Sequence, residues 1–268
     1  MENFLRMNLI DTHCHLYVEE FDPEQDDLAR RAKESGIQTL LCPNVDTTTV
    51  ERLHALCDRY PDFAFPMMGL HPTSVDARYG SALREIESWL DKRAYCGIGE
   101  IGIDLYWDRT FLKEQKMVFE EQLRWSIDRQ LPVAIHTREA FPEVLECIAK
   151  VGADQLRGVF HSFTGTSDEL AEIKKLTNFK IGINGVVTFK NSRLAEVLQE
   201  AQPADLVLET DAPYLAPVPY RGKRNEPVYI WKTAEKLAEI YDLSLEEVVN
   251  TTRKNALELF KRVNNSLE

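Results

Sequence analysis

The chain has six histidines, and five of them sit in similar places. His13, His15, His71, His136 and His161 each close a short apolar run, whereas His54 falls inside an amphipathic stretch and reads as a structural or surface residue. The densest group is Asp11-Thr12-His13-Cys14-His15. Side chains of an extended chain alternate sides, so His13 and His15 point one way and Cys14 the other. Two imidazoles on one face form a clip for a divalent metal. Carboxylates close other apolar runs: Glu100 in Gly97-Ile98-Gly99-Glu100-Ile101-Gly102-Ile103-Asp104, and Asp211 in Glu209-Thr210-Asp211-Ala212-Pro213. A carboxylate buried in such a run is costly unless it is paired or bound to a metal, and Gly99 and Gly102 would let another backbone come close. Each residue alone has an ordinary explanation. A buried His can bond a neighbour, Glu100 can pair with an Arg, and Asp211 can cap the turn before Pro213. All six of His13, His15, Glu100, His136, His161 and Asp211 brought to one rim would instead mark a metal or catalytic site.

The runs that carry these residues begin near Leu9, Thr39, Phe63, Cys96, Pro132, Gly158, Lys180 and Leu206. They are mostly continuous rather than alternating, as parallel strands buried on both faces are. The stretches between them predict helices over 24–35, 47–60, 81–92, 110–130, 140–150, 167–176, 192–201, 228–240 and 245–263. Gly36 is a C-cap for the first, and Ser244 with Glu247 makes a capping box for the last. Eight strand–helix units in 268 residues predict an α/β fold, a (β/α)8 TIM barrel formed as one domain over 1–268. The C-terminal strand ends of such a barrel form one rim, where active sites are built. An open doubly wound sheet is the alternative. It usually carries a Gly-rich phosphate turn after its first strand, but here that strand ends in His-Cys-His and no GxGxxG follows.

The balance of 32 basic and 44 acidic residues gives a net charge of −12 on a chain that is 44% hydrophobic and 28% charged. That is an ordinary globular composition. Its acidity argues against broad coating of nucleic acid, though not against a locally positive cleft. Arg221, Lys223 and Arg224 form the one dense basic run, just beyond Asp211, and Arg138 follows His136 by two residues. These are candidates for binding an anionic substrate, and Trp107, Tyr214 and Tyr220 for stacking a base. No apolar stretch approaches the ~20 residues of a membrane span. The first ten residues carry no secretory pattern, and Met7 could be an alternative start, making 1–6 a loose leader. The five cysteines, Cys14, Cys42, Cys57, Cys96 and Cys147, are odd in number and lack a CxxC. They are expected to be buried thiols in a reducing compartment, the cytoplasm.

Taken together, DTHCH, GLHP, GEIGID, IHTRE, HSFTG, ETDAPYL with the following RGKRNEP, and the late RKNALELF resemble the TatD family of metal-dependent deoxyribonucleases. That family lies within the amidohydrolase-like TIM barrels, and the resemblance runs in order from about Leu9 to Phe260. It implies two divalent metal ions, with Mg, Mn and Zn all open. His13, His15 and Asp211 would hold one, His136 and His161 the other, and Glu100 would bridge them. Asp211 would also act as general base, since it can touch a metal and accept a proton from water. His71 lies outside that metal set and is assigned to substrate phosphate or the leaving group, with a supporting hydrogen bond as the alternative. Asn184 stands where the family often has Ser.

The implied activity is hydrolysis of DNA phosphodiesters, from an end and on single strands, because a barrel mouth admits a terminus more easily than a mid-duplex phosphate. Two other readings stay open. One is a hydrolase of a carbonyl substrate (a lactone, a cyclic amide or an aminoacyl-tRNA ester) at the same centre. The other is a metal-loaded barrel that binds nucleic acid or a partner without turnover. DNA is the expected partner, as substrate. No membrane association or obligate protein partner is expected, and a monomer is.

Overall fold

The continuous apolar runs become eight parallel strands, buried along most of their length except for β5, whose last three residues emerge. The computed structural model describes residues 7–263, so the leader considered at 1–6 lies outside the described residues. The strands are β1 (Leu9–Asp11), β2 (Ile37–Pro43), β3 (Ala64–Met68), β4 (Gly97–Asp104), β5 (Val133–Arg138), β6 (Gly158–Phe160), β7 (Phe179–Ile183) and β8 (Leu206–Leu208), paired in that order in one sheet. Between them run α1 (Gln25–Glu34), α2 (Val50–Arg59), α3 (Tyr79–Trp89), α4 (Leu112–Arg129), α5 (Phe141–Val151), α6 (Ser167–Lys175) and α7 (Leu194–Val197). After β8 come α8 (Ile230–Tyr241) and α9 (Leu245–Leu259). The architecture is the expected barrel.

Between β8 and β1 the barrel is closed by irregular backbone. Thr12 N donates to Leu208 O (3.0 Å), Asp211 N to His13 O (2.9 Å) and His15 N to Ala212 O (2.9 Å). The fully buried Asp11 adds a side-chain stitch across this seam, accepting from Thr210 N at 3.0 Å and Thr210 Oγ1 at 2.6 Å. Burial pushes its carboxyl up to about 8, against those hydrogen bonds. Both the His13–His15 segment and the Asp211 segment belong to this seam, so barrel closure itself brings them together.

Ile10, Leu41, Met67, Ala134, Val159 and Val207, one from each of six strands, pack together with Ala256, Leu259 and Phe260 of the C-terminal helical segment. Residues of six strands meet only inside the barrel. Its interior is therefore an apolar plug closed from below by the end of α9, which leaves polar residues to the opposite rim. The larger apolar cluster lies between the strands and the surrounding helices.

Some expected elements are shorter. The helix expected over 192–201 is a single turn, α7, followed by a 3-10 turn at Leu198–Glu200 that stops before Pro203. α9 ends at Leu259 rather than 263. β6 and β8 stop after three residues, so His161 and Asp211 lie in the loops just beyond them. The capping box of Ser244 and Glu247 is formed, Gly36 takes φ +91° after α1, and all five cysteines are buried and unpaired.

Candidate metal centre

The barrel seam and three strand ends converge on Glu100. β4 carries one more residue than β5 between paired positions (Ile98 opposite Val133, Ile101 opposite Ile135), an irregularity of the kind that re-aims a side chain. Asn44 fixes this stretch, its N donating to Gly99 O and its O accepting from Glu100 N. Gly102, at φ +144°, passes so close to β5 that a Cβ would lie 1.9 Å from His136 O. The strand must therefore be glycine there for Glu100 and His136 to meet.

The two oxygens of Glu100 serve different neighbours. Oε2 lies 3.1 Å from His13 Nε2 and 3.7 Å from His15 Nε2. Oε1 lies 2.9 Å from His136 Nδ1, 3.3 Å from His71 Nε2 and 3.9 Å from His161 Nε2. Asp211 Oδ1 is 3.8 Å from His13, 3.6 Å from His15 and 3.6 Å from His161, each measured to Nε2. Asp211 holds φ +59°, a left-handed conformation that Asp tolerates better than most residues.

These spacings suit a small divalent cation. Donors about 2.1 Å from a tetrahedral or octahedral ion stand about 3.0–3.4 Å apart. The His13–His15 Nε2 separation is 3.1 Å and the His71 Nε2–His136 Nδ1 separation 3.2 Å. Three overlapping groups offer suitable donors: His13, His15 and Asp211; His13, Glu100 and His161; and His71, Glu100 and His136.

Two of the histidines, His136 and His15, are hydrogen-bonded through their far nitrogens, and His161 has a carboxylate beside its own, which fixes the nitrogen left for the centre. His136 Nε2 lies 2.8 Å from Asp104 Oδ2, leaving Nδ1 toward Glu100. Tyr17 donates its hydroxyl to Pro43 O (2.6 Å), so its oxygen accepts from His15 Nδ1 at 3.0 Å. His161 Nδ1 stands 3.0 Å from Glu209 Oε1. Glu209 is fully buried and also accepts from Ser162 N at 2.6 Å. It occupies space that only glycine leaves at 182, where a Cβ would lie 2.3 Å from Glu209 Oε2. The His13 ring stacks on His161, with centroids 3.3 Å apart.

The charges follow from this packing. Burial opposes ionisation of Glu100, but the imidazoles of His71, His13 and His161 outweigh it and hold the carboxyl well below its usual range. Asp211 is likewise kept ionised against burial, mainly by His161. Burial would lower His136 and His161, but the Asp104 and Glu100 carboxylates lift the first to about 9, and Glu209, Asp211 and Glu100 lift the second to about 10. Burial, with His161 alongside, pushes His13 down to about 4. His71 is also lowered by burial.

The six expected ligands are thus brought together. His71, expected at the rim, stands among the donors, in contact with both Glu100 and His136. His54 is apart, bonded to the Tyr95 hydroxyl at 2.9 Å. Arg138 stacks on Tyr106 (3.7 Å to the centroid) and Arg221 on Phe189 (4.5 Å), and among the described residues neither makes an ion pair. Arg224 is tied down by Glu24 (2.7 Å), Glu226 (3.5 Å) and Glu20 O (2.7 Å). Tyr220 is stacked on Tyr229, whereas Trp107 and Tyr214 are exposed. Asn184 is buried, accepting from Val186 N and donating to Ser162 Oγ. Asp104, Glu209 and Tyr17 were not singled out from sequence. Tyr17 and Glu209 each lie two residues from a candidate ligand and Asp104 four from Glu100, but turns and left-handed residues intervene, so strand alternation does not place them.

An eight-stranded α/β barrel with a buried His and carboxylate cluster at its rim is an architecture suited to a metal-dependent hydrolase. The family model described as TatD related DNase matches residues 10–261, and the chain belongs to that family. It is 35% identical over 254 residues to the uncharacterized metal-dependent hydrolase YabD of Bacillus subtilis (strain 168), covering 94% of this chain and 99% of YabD. It is 28% identical to human deoxyribonuclease TATDN3, covering 98% of each. The crystal structure of YjjV, a TatD homolog from Escherichia coli K12, superposes with a TM-score of 0.88 at 27% identity, covering 95% of this chain and 98% of that one. Among the described residues no helix is long and apolar enough to cross a membrane.

Proposed function

We propose that the protein is a phosphodiesterase acting on DNA, taking single strands from an end. The observation that carries this reading is the divided Glu100 carboxylate, with Oε2 facing His13 and His15 and Oε1 facing His136, His71 and His161. A carboxylate so placed suits a bridge between two cations. His13, His15 and Asp211 would hold one, and His136 and His161 the other, with His71 beside Glu100 Oε1. Divalent cations bound there would polarise a phosphodiester and would supply a strong nucleophile at neutral pH.

The chain's own residues do the rest. Glu100 offsets the repulsion of two dications. Asp211, ionised and open to the mouth, takes the proton of the attacking water. Arg138 and Arg221, spared from ion pairs, hold the phosphate chain. The name of the human relative, a deoxyribonuclease, supports DNA as the substrate.

The test is an assay of end-labelled single-stranded DNA beside lactone, cyclic amide and aminoacyl-ester substrates, with Mg, Mn or Zn added. Stepwise shortening of the DNA that vanishes in Glu100→Gln is expected. Turnover of a carbonyl substrate with intact DNA would overturn the reading, as would tight DNA binding without turnover.

A further inference from the structure

Six large apolar side chains are exposed among the described residues, and five of them lie in the two loops after β4 and β8, which border the metal centre: Tyr106, Trp107, Tyr214, Leu215 and Val218. Exposed apolar groups gathered in one region mark a contact surface. On the β4 side they are organised. The Trp107 ring meets Tyr106 edge-on, 4.8 Å between centroids at 88°. The Arg138 guanidinium lies 3.7 Å over the Tyr106 ring and 5.4 Å from that of Trp107. With no carboxylate partner, Arg138 is held in place by aromatic faces, which leaves its N–H donors unpaired.

Beside this stack opens a cleft of about 430 Å³, within the size range of small-molecule sites. Tyr106, Arg138, Phe141 and Phe163 line it, and His161 of the metal centre borders it. Thr137 lines it too, and its hydroxyl is buried with no protein partner. A ligand that fills this cleft while reaching the centre would carry a flat aromatic part, polar at its edge, joined to a group that binds metal.

We propose that the cleft is a nucleobase subsite. The base next to the phosphate held at the metal centre leaves its strand's stack and packs against Tyr106, Phe141 and Phe163, with Arg138 beside it. This rests on the phosphodiesterase reading and refines it. Stacking reads the face of a base rather than its identity, so the subsite accepts any base but requires it to be unpaired. A strand end or a single strand meets that requirement without cost, and an internal position of a duplex does not.

The experiment has two arms. Metal-free protein is dialysed to equilibrium against labelled 2′-deoxyadenosine, with 2-deoxyribose as control. Saturable binding of the nucleoside alone is expected, weakened about tenfold or more in Tyr106→Ala. Tyr106 is half exposed, so its loss leaves the core intact. In the second arm, the metal-loaded enzyme is given a single-stranded oligonucleotide, and Tyr106→Ala is expected to raise KM more than it lowers kcat. Absent nucleoside binding, or equal affinity in wild type and Tyr106→Ala, overturns the base subsite even where DNA is cleaved. Nucleoside binding without DNA cleavage leaves the subsite standing and removes the phosphodiesterase reading.

Discussion

Asp104 holds His136 by Nε2, at 2.8 Å, and thereby turns Nδ1 to within 2.9 Å of Glu100. A ligand held in this way keeps its tautomer and ring orientation, and loss of such a partner typically costs 10–100-fold in metal affinity. Asp104→Ala is expected to weaken metal binding by about that factor, read by titration against a competing chelator. Affinity equal to wild type would show that His136 needs no such support.

Glu209 depends on the missing side chain at Gly182, where a Cβ would stand 2.3 Å from its Oε2. Gly182→Ala must push the carboxylate off His161. Overpacking of this kind costs about 1–3 kcal/mol. Thermal unfolding is expected to shift downward, and the stabilisation gained on adding metal to shrink. An unchanged response to metal would break the link between Glu209 and the centre.

His136 and His161 are raised to about 9 and about 10 by the carboxylates around them. The metal-free centre therefore keeps protons through neutral pH, whereas a metal needs the neutral ring. Loading the side of the centre that holds His136 and His161 must therefore release protons, and affinity there must rise as pH climbs toward 9. Calorimetry at pH 7.5 in buffers of different ionisation heat is expected to give buffer-dependent heats. Identical heats would contradict the raised values.

The arginines beyond the centre separate into two kinds. Arg138 and Arg221 are free of carboxylates, whereas Arg224 is bound to Glu24 and Glu226. Arg138→Ala and Arg221→Ala are each expected to raise KM for DNA and to reduce the salt slope of binding by about one. Arg224→Ala should instead lower thermal stability, by about 1 kcal/mol or less for a partly exposed pair, with little change in the salt slope. A slope change confined to Arg224→Ala would reverse the assignment.

Much of this centre was legible in the sequence because its ligands lie where local alternation and the barrel's eight-fold rhythm can be read. His13 and His15 share a face for that reason, whereas Tyr17 reaches His15 through a turn that Val18 N closes on His15 O. What alternation did not show was set by distant packing. The extra residue in β4 that brings Glu100 to the other ligands exists only relative to β5. Arg224 looked available because its partner Glu24 lies 200 positions away. His71 reads from sequence as a rim residue outside the metal set, because only the closed barrel brings it against His136.

The central claim is that Glu100 stands between two bound cations. Elemental analysis of the purified, metal-reconstituted protein, with anomalous diffraction from Mn-soaked crystals, tests it most directly. Two ions per chain are expected, one on each side of Glu100, with at least one lost in Glu100→Gln. A protein that binds no divalent ion, or holds its ions away from Glu100, would contradict it.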